Sequence, residues 1–108
     1  AGAQIDIWHH TRGPTTWPDL EAVELDAVTY LEFDDGPPML GDDLLHELME
    51  RRVFPGEGEF ETQRFADIFR RRGYDGMVSV EVLNGDWRKR DLREYAARAY
   101  ETSAQYWL

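Results

Sequence analysis

The sequence predicts an α/β protein on parallel strands, and within that class the last three βα units of an eight-stranded (β/α)8 barrel. Two observations carry the expectation. Apolar runs of β character at residues 4–8, 28–33 and 77–83 alternate with helical patterns, and strand-helix-strand alternation implies right-handed crossovers between parallel strands. Three such strands alone leave two raw edges, whereas a closed barrel of the same units takes about 250 residues. At 108 residues the chain is a part of that. It also begins without Met and enters an apolar strand almost at once, so residues 1–108 are read as the C-terminal portion of a single domain. No internal repeat or linker-like Gly/Ser tract divides it.

The first run, Gln4-Ile5-Asp6-Ile7-Trp8, is followed by a turn at Thr11-Arg12-Gly13-Pro14 and a brief helix over 19–24 behind Pro18. Residues 28–33 form the second strand. A helix is expected over 42–52, with Leu44, Leu45, Leu48 and Met49 on one face. The helix over 61–72 places Phe65, Ile68, Phe69 and Arg72 at i, i+3, i+4 and i+7, with Gly73 at its C-terminal stop. Arg72 ends the apolar stripe with a side chain that can snorkel. The third strand, 77–83, leads to a helix over 91–106 carrying Leu92, Tyr95, Ala96, Ala99, Tyr100 and Ser103, with Asp86 and Asp91 as candidate caps.

Composition narrows the function classes. Twenty-two acidic against twelve basic side chains leave a net charge of −10, a field that repels phosphodiester backbones and anionic lipid. Neither nucleic acid nor a membrane surface is therefore an expected partner, and no run reaches the roughly 20 apolar residues that span a bilayer. With no cysteine there is no thiolate metal site and no thiol nucleophile, a composition suited to a reducing cytoplasm. Hydrophobic residues at 42% are enough for a packed core.

Each predicted strand holds one acid between apolar neighbours: Ile5-Asp6-Ile7, Leu31-Glu32-Phe33 and Val80-Glu81-Val82. Strand side chains alternate faces, so apolar flanks turned to the helices put all three carboxylates inside the barrel, near the strand ends where such folds build active sites. A lone acid in a strand is usually just exposed on a one-sided sheet; three matching cases argue otherwise. Crowded carboxylates raise one another's pKa or call for a cation. Oxygen donors suit Mn²⁺ or Mg²⁺, and an added imidazole would bring in Co²⁺ or Zn²⁺. His9 can supply it only if the strand stops near Ile7 and the chain turns. The competing reading makes His9 and His10 surface or supporting histidines, and His46 a solvated one.

The connection after Phe33 is unusually long and closes with Arg51-Arg52-Val53-Phe54-Pro55-Gly56-Glu57-Gly58-Glu59-Phe60. Its glycines allow close backbone approach and its arginines can fork onto oxygen atoms of a ligand. A purely structural turn is the equal alternative. Most aromatics are core candidates, but Tyr30 shares the face of Glu32 and Trp8 adjoins His9, so these two are candidate pocket walls.

Four segments taken together, Ile5-Asp6-Ile7-Trp8-His9, Tyr30-Leu31-Glu32-Phe33-Asp34-Asp35-Gly36, Arg52-Val53-Phe54-Pro55-Gly56-Glu57-Gly58-Glu59-Phe60 and Gly73-Tyr74-Asp75-Gly76-Met77-Val78-Ser79-Val80-Glu81-Val82-Leu83, resemble the C-terminal part of the xylose isomerase-like TIM barrels. These are the sugar phosphate isomerase/epimerase proteins, with related inosose and dehydroshikimate dehydratases and, more distantly, an endonuclease. The resemblance implies a divalent metal held by Glu, Asp, His and Glu, with Asp6 as the aspartate and Glu81 as the final glutamate. It implies substrate contacts from His9 and Arg52. Glu32 stands where the family usually has His, so it is either a replacement ligand or the mark of an altered site, and the first glutamate belongs to a strand outside this chain.

The expected activity is a metal-dependent isomerisation or epimerisation of a sugar, sugar phosphate or polyol through an enediolate, with Glu81 moving the proton. A dehydratase of the same fold is one alternative. A non-catalytic half-barrel that pairs with another chain is the other. The partners expected are a small sugar or polyol and either the remaining N-terminal barrel strands or a complementary chain, with further copies of the same chain left open.

Overall fold

A computed structural model describes residues 2–108 of the chain; Ala1, counted in the expected 1–108 domain, lies outside the described residues. Three parallel strands form one sheet: β1 (Ala3–Asp6), β2 (Val28–Glu32) and β3 (Val78–Ser79), in the order β1-β2-β3. The register sets Asp6 against Glu32 and Glu32 against Ser79, so the C-terminal ends of all three strands are level. Both outer strands pair on one side only among the described residues. Each strand is followed by helix: α1 (Ile7–Arg12) and α2 (Trp17–Ala22), then α3 (Leu44–Glu50) and α4 (Thr62–Arg71), then α5 (Leu92–Trp107).

Two strands are shorter than the sequence suggests, each for a local reason. β1 stops at Asp6 because its carboxylate accepts the Trp8 amide at 2.7 Å and caps α1, so Trp8 is helical rather than extended. β3 pairs only through Val78 and Ser79; beyond them Leu83 O accepts the Arg52 amide at 3.0 Å and the Val82 amide donates to the Tyr95 hydroxyl at 2.8 Å. The chain still runs through Glu81, but loop and helix groups satisfy it instead of a strand.

The helix positions follow their patterns, but the expected apolar face of α3 is corrected: Leu44, Leu45 and Met49 are exposed and Glu47 is its buried residue, and Leu92 and Tyr100 of α5 are exposed as well. A capping box at Thr16 and Asp19, with Pro18 in the first turn, starts α2 two residues earlier than expected. On α4, Phe65, Ile68 and Phe69 are fully buried, and the chain leaves the helix through Gly73 at φ +83°, a left-handed turn that glycine adopts without strain. Arg72 snorkels as its position suggests, donating to Leu20 O at 3.1 Å and to Val23 O. The core lies between sheet and helices: Leu31 and Phe33 point into it, and Phe33 meets Tyr106 and Trp107 of α5 edge-on, each at 5.3 Å.

Candidate functional site

The three acids come together on the other face of the sheet. Asp6 and Glu32 are directly opposite one another at the ends of β1 and β2, and both are almost completely buried. The Glu32 carboxyl lies within hydrogen-bonding reach of both Asp6 and Glu81. Burial and then the Asp6 contact raise the Glu32 pKa above the usual carboxylate value. Glu81 is raised as well, first by its hydrogen bond with Glu32 and then by burial. Glu32 is raised by burial and Asp6 against the opposite pull of its Glu81 contact, and Glu81 is raised by Glu32, so a proton or a cation here relieves like-charge repulsion.

Because α1 begins immediately after Asp6, position i+3 swings back beside it. His9 Nε2 lies 3.9 Å from Asp6 Oδ2 with its side chain 61% exposed, so the early strand end that a shared Asp6-His9 site requires is present. Tyr30 shares the Glu32 face: its hydroxyl donates to Gln4 Oε1 at 2.7 Å, and its pKa is raised by desolvation and then by Glu32, Glu81 and Asp6. A cavity of about 230 Å³ borders Asp6, His9 and His10 on the open side of β1. The larger one, about 340 Å³ by Trp87, Arg88, Arg90 and Tyr95, borders none of the three acids.

Two expectations need correction. Trp8 does not line a pocket: it is 6% exposed within the core cluster, turned edge-on to His9 and lying beneath the Arg52 guanidinium at 5.7 Å. Nor do Asp6, Glu32 and Glu81 make a complete metal triad, since among the described residues no three His, Cys, Asp or Glu side chains are placed to hold an ion. The donor chemistry nevertheless fits a cation: three carboxyls crowd one rim, two of them with raised pKa, and a set drawn from this chain alone is incomplete.

Arg52 is the hub of the site. Its Nη1 donates to Asp34 Oδ2 at 2.8 Å, Glu81 O at 3.3 Å and Asp6 Oδ2 at 3.4 Å, and its Nε donates to Leu48 O at 3.0 Å. The side chain is 4% exposed. A guanidinium so engaged is a tie between segments, in contrast to the free fork that the sequence suggests.

Sequence reasoning assigned no role to Asp34 or Asp35. Burial and then the Asp6 charge raise Asp34 well above its ordinary value against the pull of Arg52. Asp35, also raised by burial, accepts the amides of Gly36 at 2.8 Å, Phe60 at 2.9 Å and Gly56 at 2.9 Å. A Cβ on Gly58 would stand 2.3 Å from Gly36 O, so this position requires glycine for close packing. Asp35 thus ties the Gly56 amide of the Pro-Gly-Glu-Gly loop to the amides of Gly36 and Phe60 on either side of it, which favours the structural alternative for the loop. The signal was present in the sequence: a turn that exposes so many amides next to a strand-end Asp-Asp pair needs an acceptor.

The chain matches the family model described as xylose isomerase-like TIM barrel over residues 1–107. It is 26% identical over 104 residues to an inosose isomerase of Halalkalibacterium halodurans, covering 96% of this chain and 36% of that protein. It is 32% identical over 72 residues to a 3-dehydroshikimate dehydratase of Pseudomonas putida, covering 67% of this chain and 11% of that protein. Among solved structures it superimposes with a TM-score of 0.82 on a crystal structure of the IolI protein with a bound zinc atom, at 20% identity over 97% of this chain and 37% of that one. A xylose isomerase-like TIM barrel/4-hydroxyphenylpyruvate dioxygenase fusion protein gives a TM-score of 0.77 at 26% identity, over 94% of this chain and 16% of that one. The chain therefore spans little more than a third of the length of the relatives it matches, or less.

Proposed function

The chain belongs to the xylose isomerase-like TIM-barrel family and forms a partial barrel, and on that premise we propose that it is the C-terminal portion of a divalent-metal-dependent isomerase or epimerase of sugars or polyols. The relatives it matches include enzymes of this fold. The observation that carries the reading is the meeting of Asp6 and Glu32, at the level C-terminal ends of β1 and β2, with Glu81 two residues past the end of β3, at the end where barrel enzymes place their chemistry.

A divalent cation would take part of its oxygen ligands from among Asp6, Glu32 and Glu81, with the remaining donors outside this chain. Mn²⁺ or Mg²⁺ suits such oxygens, with Co²⁺ or Zn²⁺ the alternatives when an imidazole joins them. The zinc in the IolI crystal structure supports a metal in a barrel of this shape. Bound there, the cation would polarise a substrate carbonyl and lower the cost of removing a proton from the neighbouring carbon. Glu81 takes that proton and returns it. His9, exposed beside Asp6, is placed to hydrogen-bond a substrate oxygen, and Tyr30 walls the same face.

The charge at the rim favours an uncharged sugar or polyol over a sugar phosphate. The Arg52 guanidinium is already paired with Asp6 and Asp34, so among the described residues no uncommitted cation of the rim is left to hold an anionic substrate group. The open edges of β1 and β3 are completed by the remaining barrel strands. A dehydratase is the second reading, favoured by the 32% identity to the Pseudomonas putida enzyme; it begins with the same proton abstraction and differs in expelling water.

The test uses the complete polypeptide carrying this chain, loaded with Mn²⁺ and incubated with ketoses and cyclic polyol ketones in deuterated water. Deuterium is expected at the carbon beside the carbonyl, read by NMR, and Glu81→Gln should abolish its incorporation with the fold intact by circular dichroism. Full incorporation in Glu81→Gln would contradict the assignment, and a dehydrated product would select the second reading.

A further inference from the structure

We infer that Arg52 and Asp34 are a positioning pair: Asp34 anchors the guanidinium, and the guanidinium sets the orientation of the Asp6 carboxylate and the path of the chain at Glu81. Three observations support it. Among the described residues Arg52 alone reaches all three strand-end segments, donating to Asp6 Oδ2 at the end of β1, Asp34 Oδ2 after β2 and Glu81 O after β3. Its Nε is tied to Leu48 O at the end of α3, so the fork has a fixed base. The bonds are also graded, with Asp34 at 2.8 Å and Asp6 at 3.4 Å.

That gradation gives Asp34 its role. Its only hydrogen bond among the described residues is to Arg52, and its other oxygen, Oδ1, is buried without a partner. Asp34 therefore holds no backbone in place, and what it does, it does through the arginine. The shorter bond to Asp34 keeps the guanidinium from closing fully onto Asp6, whose Oδ2 is met only by a long contact of 3.4 Å. Meanwhile Asp6 Oδ1 is held by the Trp8 amide at 2.7 Å. The Asp6 carboxylate is thus fixed by one oxygen and aimed by the other. The consequence for metal and substrate rests on the function proposed above; the geometry of the pair does not.

Arg52→Lys and Asp34→Asn test the pair in the complete polypeptide. A lysine has no counterpart of the Nε bond to Leu48 O that fixes the base of the guanidinium, and an asparagine loosens the anchor without changing its shape. In metal-free protein, amide hydrogen exchange at Trp8 should accelerate at least tenfold in both variants, while the Tyr74 amide, bonded to Phe69 O at the end of α4, keeps its rate. Mn²⁺ affinity should fall at least tenfold in both, and kcat should fall with KM little changed. Retained protection at Trp8 would overturn the inference. So would a rise in KM alone with Mn²⁺ affinity intact, because Arg52 would then be a substrate contact. Loss of protection at Tyr74 as well would also overturn it, because the pair would be holding the fold. If the wild type neither binds Mn²⁺ nor exchanges substrate protons, the proposed function fails, and the exchange rate at Trp8 still decides the inference.

Discussion

Asp6 and Glu32 face each other as Cα partners on the last rung of the β1-β2 ladder, which puts two carboxyls on one buried stretch of sheet with a third, Glu81, in reach of Glu32. Cross-strand like charges destabilise a sheet, and this arrangement persists where function needs it.

The sign of the resulting pH dependence follows from linkage. Glu32 binds its proton more tightly in the folded chain than in the unfolded one, so between the ordinary glutamate value, about 4.3, and the raised folded value the native state holds more protons. Stability then falls as pH rises through that window and stays lower above it. Glu32→Gln should raise the metal-free melting temperature at pH 8 by a few degrees and have little effect at pH 4, as read by calorimetry.

His10 works in the opposite direction. It is buried against Trp17, with ring centroids 4.3 Å apart, and burial is the first cause of its lowered pKa, with Arg64 second. The unfolded chain takes up the proton first, so this site costs stability as pH falls below about 6.5. His10→Phe should flatten that part of the profile between pH 7 and 5 in thermal melts.

Asp35 holds the loop that closes the long β2 connection. Asp35→Ala would leave the amides of Gly36, Gly56 and Phe60 without their acceptor, and with buried unsatisfied donors costing about 1–3 kcal/mol each before relaxation, a net loss of about 3 kcal/mol is expected in urea unfolding. Gly58→Ala should destabilise through a different cause, backbone collision with Gly36.

The core of α4 offers a calibration. Phe69 is fully buried and lies 5.1 Å from Phe65 and 6.1 Å from Tyr74, ring to ring. Phe69→Ala should cost about 3–5 kcal/mol, measured by denaturant titration, without altering Mn²⁺ affinity in folded protein.

What could be read from the sequence was what repeats or alternates. The acid-between-apolar motif located Asp6, Glu32 and Glu81, because strand alternation is a one-dimensional rule, and the 3.6-residue period located α4 to within a residue at each end. Events that depend on a distant partner were not legible. The helix start at Ile7 follows from Asp6 serving as a cap, which removed Trp8 from the strand and the pocket. The burial of Arg52 depends on Asp34, Leu48 and the chain at Glu81 converging from three segments, and no local pattern announces that meeting. Asp34-Asp35 looked like a polar strand end, although one residue anchors an arginine and the other caps a loop.

The most direct measurement is an anomalous-difference map from crystals of the complete polypeptide grown with Mn²⁺. A peak within ligand distance of carboxylates from among Asp6, Glu32 and Glu81 is the result this account requires. A peak elsewhere in the barrel, or none at Mn²⁺ concentrations that support proton exchange, would contradict it.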